Sequence, residues 1–363
     1  MSEFEIKQER MLALLEQRGL DALILQRVSS YAWATCGRPS YINTAVSDGV
    51  ASLLVAPGKK ALFTNNIESP RLEQEDRLAE QGWEIYSKPW YEASDLMAQH
   101  TRGLKVGADA PLAGCSDISS DIARLRSHLT PEEGDRFRSL GQLCGRAMQQ
   151  VMDGIRPGQT EQEIGARLAL ECEQRGVQAI AIMVACDERI FAFRHPLPTE
   201  KKLERYAMVI LCGRKWGLVA SVTRLVHFGQ LPAEVRRKAE AVARIDAAFI
   251  ANTHPDQTLA TVFEKACQAY AAEGYPLEWQ RHHQGGPAGY EPRELVAVPG
   301  LAEPVVSGQA YAWNPSISGA KSEDTILVGD EGYETLTAID GWPLLEVEYG
   351  RRLYQRPAIL EIL

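Results

Sequence analysis

Several things are missing from this chain of 363 residues, and each absence excludes a class of function. Lys and Arg are scattered without a basic cluster, and the formal net charge is -9. A phosphate backbone is bound by concentrated positive charge, so nucleic acid is not expected as a partner. No run of eighteen apolar residues occurs, which argues against a membrane-spanning helix. The opening MSEFEIKQER is charged and has no apolar core of a secretory signal. Cys36, Cys115, Cys144, Cys172, Cys186, Cys212 and Cys267 are odd in number and include no Cys-x-x-Cys pair. That pattern predicts reduced, mostly buried thiols in a cytoplasmic protein, not a disulfide frame or a zinc knuckle.

What is present is the composition of an ordinary globular protein, 45% hydrophobic and 24% charged, with a length that suggests two domains. Residues 1–128 alternate helix and strand. The periodicity predicts a helix over Phe4–Gln17 with Ile6, Met11, Leu12, Leu14 and Leu15 on one face, then a buried strand through Asp21–Gln26. VASLLVA and ALFT form a hairpin across Pro57–Lys60. A helix over Ser69–Gln81, strands over Trp83–Ser87 and Leu104–Gly107, and a helix over Ser116–His128 complete this α/β unit. Nothing in it suggests chemistry.

Residues 129–363 read differently. Thr130-Pro131-Glu132-Glu133 carries a capping residue, Pro at the first helical position and Glu at the third. A long helix to about Asp153 follows. A second capped helix starts after Arg156-Pro157-Gly158-Gln159-Thr160, with Glu163 at its third position, and ends at Arg175-Gly176. His254-Pro255-Asp256-Gln257-Thr258 echoes that segment ninety-eight residues later, and in both copies a Gly stands sixteen residues after the Thr. Each copy is preceded by a long helix, the second over Pro232–Asn252, and followed by a β-rich stretch, Tyr206–Val226 and Gln309–Val328. Two helix-helix-hairpin units related by pseudo-symmetry follow from this repeat.

The C-terminal part also resembles the creatinase/aminopeptidase P/prolidase superfamily. Arg194-His195-Pro196, placed just before a strand, resembles that family's substrate-site histidine. Ser221-Val222-Thr223-Arg224 resembles its S-D-x-T-R strand, and His282-His283-Gln284-Gly285-Gly286-Pro287-Ala288-Gly289 its H-x-x-G-H-G-x-G turn. Trp313-Asn314-Pro315 resembles its E-P-G turn, and Lys321–Val328 its closing x-x-E-D strand. No single stretch is specific; the order and spacing over about 200 residues are. The resemblance implies an α+β chain, an N-terminal creatinase-like α/β domain followed by a C-terminal pita-bread domain. It also implies a homodimer whose small domain helps cover the partner's site.

The departures from the family pattern are chemical. Family peptidases hold two divalent metals with two Asp, one His and two Glu, a set that gathers negative charge against the cost of dehydrating hard cations. In this sequence those positions are Leu211 or Cys212, Ser221, Gly286, Asn314 and Glu323, so one carboxylate remains of five ligands. A further substrate histidine is replaced by Arg293, beside a matching Glu294. The expectation is therefore no metal cofactor, with Mn, Co or Zn as the alternative. Creatinase, a metal-free member of the resemblance, implies His195 as general base with Glu323 and Glu294 as catalytic carboxylates. His282, His283, Arg293, Arg224 and Asn314 are then substrate-binding candidates, the arginines by pairing with an anion. The implied function is hydrolysis of a C–N bond in a small molecule or short peptide. The alternatives are a metal-dependent Xaa-Pro aminopeptidase or dipeptidase, and a non-catalytic binding module. Gly285, Gly286 and Gly289 are read as backbone requirements.

Overall fold

In the computed structural model, residues 1–93 and 95–363 are described, and the chain parts into two compact units. The first comprises Met1–Arg126 with Trp216–Leu218, the second Ser127–Lys215 with Val219–Leu363.

The first unit begins with α1 (Glu3–Arg18), whose N-terminus is closed by a Ser2–Glu5 capping box and whose chain turns out at left-handed Gly19. Its inward row is Lys7, Met11, Leu14 and Leu15, spaced to share one face, while Leu12 is exposed rather than packed. Buried Lys7 is compatible with that row because Glu3 accepts from it at 2.6 Å and the Trp33 carbonyl at 2.8 Å. The strands are β1 (Ala22–Arg27), β2 (Asp48–Ala56), β3 (Lys59–Asn65), β4 (Glu84–Lys88), β5 (Val106–Ala108) and β6 (Ser116–Asp117), ordered β4-β3-β2-β1-β5-β6. Apolar β1 is central, antiparallel to β2 and parallel to β5. The β2–β3 turn is tighter than expected, with Ala56 opposite Lys59 across Pro57-Gly58.

The helices of this unit depart from the sequence pattern in three places. VSSYAWA forms α2 (Val28–Ala34), buried throughout, where no helix was expected. The helix expected over Ser69–Gln81 is α3 (Ser69–Gln74) and a separate 3-10 turn at Leu78–Gln81, divided at Arg77, whose φ is +53°. After α4 (Leu96–Thr101), the segment from Ser116 opens as β6 before turning into α5 (Ser119–Ser127).

The second unit carries the repeat. α6 (Pro131–Gly154) and α7 (Glu161–Glu173) both start in complete capping boxes, Thr130 with Glu133 and Thr160 with Glu163. They pack on β7 (Gln178–Cys186) and β8 (Tyr206–Lys215), which are antiparallel neighbours, and β9 (Leu218–Phe228) lies next to β8. The short α8 (Glu188–Ala192) precedes β8. In the second copy, α9 (Ala233–Asn252) and α10 (Leu259–Ala272) are followed by β10 (Gly285–Ala288) and β11 (Ala310–Trp313). The hairpin of β12 (Ser316–Ile317) and β13 (Ala320–Lys321) leads to β14 (Asp324–Val328). Thr160 pairs with Lys202 in an isolated bridge and Thr258 with Pro304 in another, the same contact in each copy. Phe249 of α9 stacks on Trp313 of β11 at 4.6 Å in a core that includes Tyr311 and Ile245, so Trp313 is a packing residue.

The tail lies outside the expected repeat. β15 (Tyr333–Thr335) extends the second sheet, and β16 (Leu344–Tyr349) and β17 (Arg352–Pro357) form a hairpin. β18 (Leu360–Ile362) joins the first sheet parallel to β9. Arg356 of β17 is 1% exposed and bridges Asp246 of α9 at 2.7 Å and Asp324 of β14 at 3.0 Å. No helix among the described residues is long and apolar enough to cross a membrane.

Two stability predictions follow. Arg356→Met leaves two buried carboxylates short of a cation and lowers stability by roughly 3–5 kcal/mol, read as a lowered chemical-denaturation midpoint. Thr160→Ala removes an N-cap and costs about 1 kcal/mol by the same measurement.

Candidate functional site

The site is built along the seam where β9 meets the segment entering β14. The Thr223 amide donates to the Glu323 carbonyl at 3.1 Å. Two residues along, the Ser221 amide donates to Thr325 Oγ1 at 2.8 Å, and that hydroxyl donates back to the Ser221 carbonyl at 3.0 Å. Strand alternation then sorts the side chains. Arg224 turns into the interior, donating to Asp324 at 2.9 Å and to the carbonyls of Thr223 and Thr337. Its guanidinium is a fold element in this structure. On the other side, Thr223 Oγ1 donates to Glu323 Oε2 at 2.6 Å, and Ser221 Oγ lies 3.4 Å from Cys212 Sγ. Of the two residues at the first ligand position, it is Cys212 that meets Ser221, while Leu211 is fully buried core.

Glu323 is held by two cations. Arg293 Nη2 approaches Oε1 at 2.9 Å and Lys321 Nζ approaches Oε2 at 2.8 Å. The three side chains are only 8%, 6% and 3% exposed for Arg293, Lys321 and Glu323, so the triad is almost out of water. Burial opposes the Glu323 charge, but Lys321 first and Arg293 next, with the Lys321 and Thr223 hydrogen bonds, bring its carboxyl down to about 2. Arg293 also donates to Ser221 Oγ at 3.1 Å. Lys321 was not singled out from the sequence. The signal was its position two residues before Glu323 in an extended segment, which puts both on one face.

Three histidines form the second part. His282 and His283 follow a 3-10 turn at Glu278–Arg281 and precede β10. His195 lies in the loop after α8, eleven residues ahead of β8 rather than just before it, because the loop pairs back on β7 through Val184 N–H and the Pro196 carbonyl. An Arg194–Glu278 ion pair joins the two loops, and Glu278 also accepts from the Ser318 amide at 3.1 Å. Glu278 is a positioning residue that the sequence reading missed. Gln284, which accepts from Tyr270 OH at 2.8 Å, donates to the Trp279 and His282 carbonyls and sets the loop's path.

In consequence, His195 Nε2 and His282 Nε2 face each other at 2.9 Å, and the His282 and His283 rings stack at 4.4 Å. Burial, then the Lys321 cation and the neighbouring imidazoles, push His282 down to about 2. Burial and then Arg293 push His283 down to about 4. His195 is lowered by burial and Lys321, with Glu323 pulling the other way. All three imidazoles are neutral near pH 7, with His195 and His282 joined by a hydrogen bond between their Nε2 atoms.

The remaining predicted residues are placed as follows. Glu294 is buried and accepts from the Tyr290 and Glu291 amides at 2.8 and 3.3 Å, so its carboxylate shapes the loop that carries Arg293. Asn314 is buried beside β10, its amide donating to the Gln284 carbonyl at 3.1 Å, with Oδ1 unpartnered.

These donors do not fit the family's two-metal centre. Gly286 has no ligand atom and no room for one: its φ is +152°, and a Cβ there would sit 2.3 Å from the Leu295 carbonyl. Gly285 is equally committed, with a Cβ 2.1 Å from the Ala312 carbonyl. Cys212, Ser221 and Asn314 supply no carboxylate, and Glu323 already has two cations.

Comparison with known proteins agrees with the architecture. The model of metallopeptidase family M24 matches residues 135–330. An uncharacterized peptidase of Staphylococcus aureus is 24% identical over 234 residues, covering 61% of this chain and 65% of its own length, so just under two thirds of that relative is spanned. A prolidase from Pyrococcus horikoshii superposes with a TM-score of 0.79 at 18% identity, over 92% of this chain and 98% of that one. A Xaa-Pro dipeptidase from Bacillus anthracis superposes with a TM-score of 0.75 at 19% identity, over 99% and 100%. With more than half of its length matched by the family and the pita-bread fold of the prolidases, this chain belongs to metallopeptidase family M24.

Proposed function

We propose that this protein hydrolyses a C–N bond in a small anionic substrate, without the dinuclear metal centre of its family. The observation that carries the reading is the desolvated Arg293–Glu323–Lys321 triad, in which two side-chain cations neutralise the one surviving carboxylate. Two cations against one anion leave a net positive charge beside three neutral imidazoles, which favours a substrate carrying a carboxylate or an equivalent group.

In the proposed reaction, His195 accepts a proton from water, and the water oxygen attacks the carbon of the C–N bond. His282, at 2.9 Å, orients the His195 ring. Glu323 stays ionised and holds Arg293 and Lys321 in place, and the net positive charge makes the imidazolium that forms a ready proton donor. Arg293 and Lys321 stabilise negative charge on the substrate and on the oxygen of the tetrahedral intermediate. His195 then returns the proton to the departing nitrogen as the C–N bond breaks. His283 and Asn314 Oδ1 are the substrate contacts, and Glu294 acts through the backbone it holds. A metal-dependent Xaa-Pro peptidase is the competing reading, supported by family membership and opposed by the donor set.

Screening amidino, amide and dipeptide compounds bearing a carboxylate identifies the substrate. On that substrate His195→Ala lowers kcat by about 10²- to 10⁴-fold, and full turnover by this variant removes the proposal. Arg293→Lys keeps a charge but loses the fork, and raises KM by more than it lowers kcat. Elemental analysis finds no pair of Mn or Co ions per chain; two equivalents retained through purification favour the peptidase.

A further inference from the structure

We infer that His195, His282 and His283 form a site for one transition-metal ion of the zinc, nickel or copper class, separate from the family's carboxylate ligand positions. One ring nitrogen from each residue lies within 4.8 Å of the others, and the group contains no carboxylate. An all-imidazole set suits borderline ions and is poor for Mn²⁺ or Mg²⁺, which need oxygen ligands.

Three observations support it. First, His195 Nε2 and His282 Nε2 converge at 2.9 Å, a hydrogen-bond spacing that an ion replacing the shared proton would widen only slightly. A tetrahedral ion with bonds of 2.0–2.1 Å would set its nitrogens about 3.3 Å apart, so the His195–His282 pair opens by a few tenths of an ångström and His283 swings in. Second, His282 Nδ1 and Ser316 Oγ are both buried and unpartnered, and both residues line one cavity of about 10 Å³, roughly the space of one water. An Nδ1–H donor directed there leaves the His282 Nε2 lone pair facing His195, the tautomer that metal-bound histidines are held in. Third, His195 and His283 are solvent-exposed, so an ion can enter and a fourth ligand can be water. Arg293 and Lys321 add positive charge nearby, which selects against ions that bind by charge alone and for those that bind nitrogen strongly.

One consequence rests on the function proposed above: a bound ion takes the lone pair with which His195 accepts its proton, so occupancy silences hydrolysis.

The test titrates chelator-stripped, full-length protein with ZnCl₂ by calorimetry, and with MnCl₂ as the hard-ion control. One Zn²⁺ binds per chain and Mn²⁺ does not. His195→Ala, His282→Ala and His283→Ala each weaken Zn²⁺ by more than the roughly 10- to 100-fold that loss of a partner behind a ligand costs. Co²⁺ gives the intense visible absorption of a four-coordinate ion. Absence of Zn²⁺ binding, or binding that survives all three substitutions (thiol ligation), overturns the site. If His282→Ala does not fold, exposed His283→Ala decides, its unbound melting temperature serving as the folding control. Full turnover by zinc-loaded protein overturns the silencing. Full turnover by zinc-free His195→Ala with zinc binding intact in the wild type sinks the catalytic reading and leaves the site standing.

Discussion

The seam between β9 and the segment leading into β14 is the constraint on which the second unit depends. It brings the two copies of the repeat together, and strand alternation gives it two faces with opposite tasks. On the inner face Arg224, Asp324, Arg356 and Asp246 form a chain of buried charges that links β9, β14, β17 and α9. On the outer face the neighbouring residues Thr223 and Glu323 belong to the site. The same two residue pairs therefore anchor the fold and place the chemistry. A shift of register by one residue would exchange the two roles, putting Glu323 into the ion chain and Asp324 onto the outer face. Buried ion pairs give modest net stability but make mispairing expensive, because each alternative leaves a charge without a partner.

That rigidity holds the fold independently of the residues on the outer face. A dinuclear centre gathers carboxylates and neutralises them with ions from solution. In this chain Arg293 and Lys321 supply covalently attached positive charge to Glu323, and backbone crowds the position of Gly286. With Gly286 pressed against the Leu295 carbonyl, restoring a histidine there would require the β10 loop to move. The three imidazoles lie together on the loops after α8 and before β10, and burial with the adjacent cations keeps them neutral. Nitrogen donors and fixed charge replace the usual arrangement of oxygen donors around mobile charge.

The repeat, the capping boxes and the order of motifs were legible in the sequence because each rests on local chemistry. Thr130 and Thr160 cap helices through residues three positions away, and the apolar runs of β1, β8 and β9 declare themselves by burial alone. The residue types at Cys212, Ser221, Gly286 and Asn314, and the carboxylate at Glu323, were legible for the same reason: a side chain that is absent cannot be supplied by folding. Less visible were α2, which reads as an apolar run of either kind, and β16–β18, whose alternation is weak and whose pairing partners lie far away in sequence.

Sequence by itself determined the family architecture, since it follows from residue types and their spacing, and raised the expectation of an incomplete metal-ligand set. Tertiary structure alone decided which of the remaining polar groups are free to act. Arg224 and Glu294 looked like site residues but are engaged, one with a buried aspartate and the other with backbone amides. Lys321 and Glu278 looked incidental but hold the carboxylate and the histidine loops in place. The reason is that a hydrogen bond or ion pair is a property of two residues, and the partners that join Arg293, Thr223, Arg224 and Arg194 to the site lie 30 to 100 positions away.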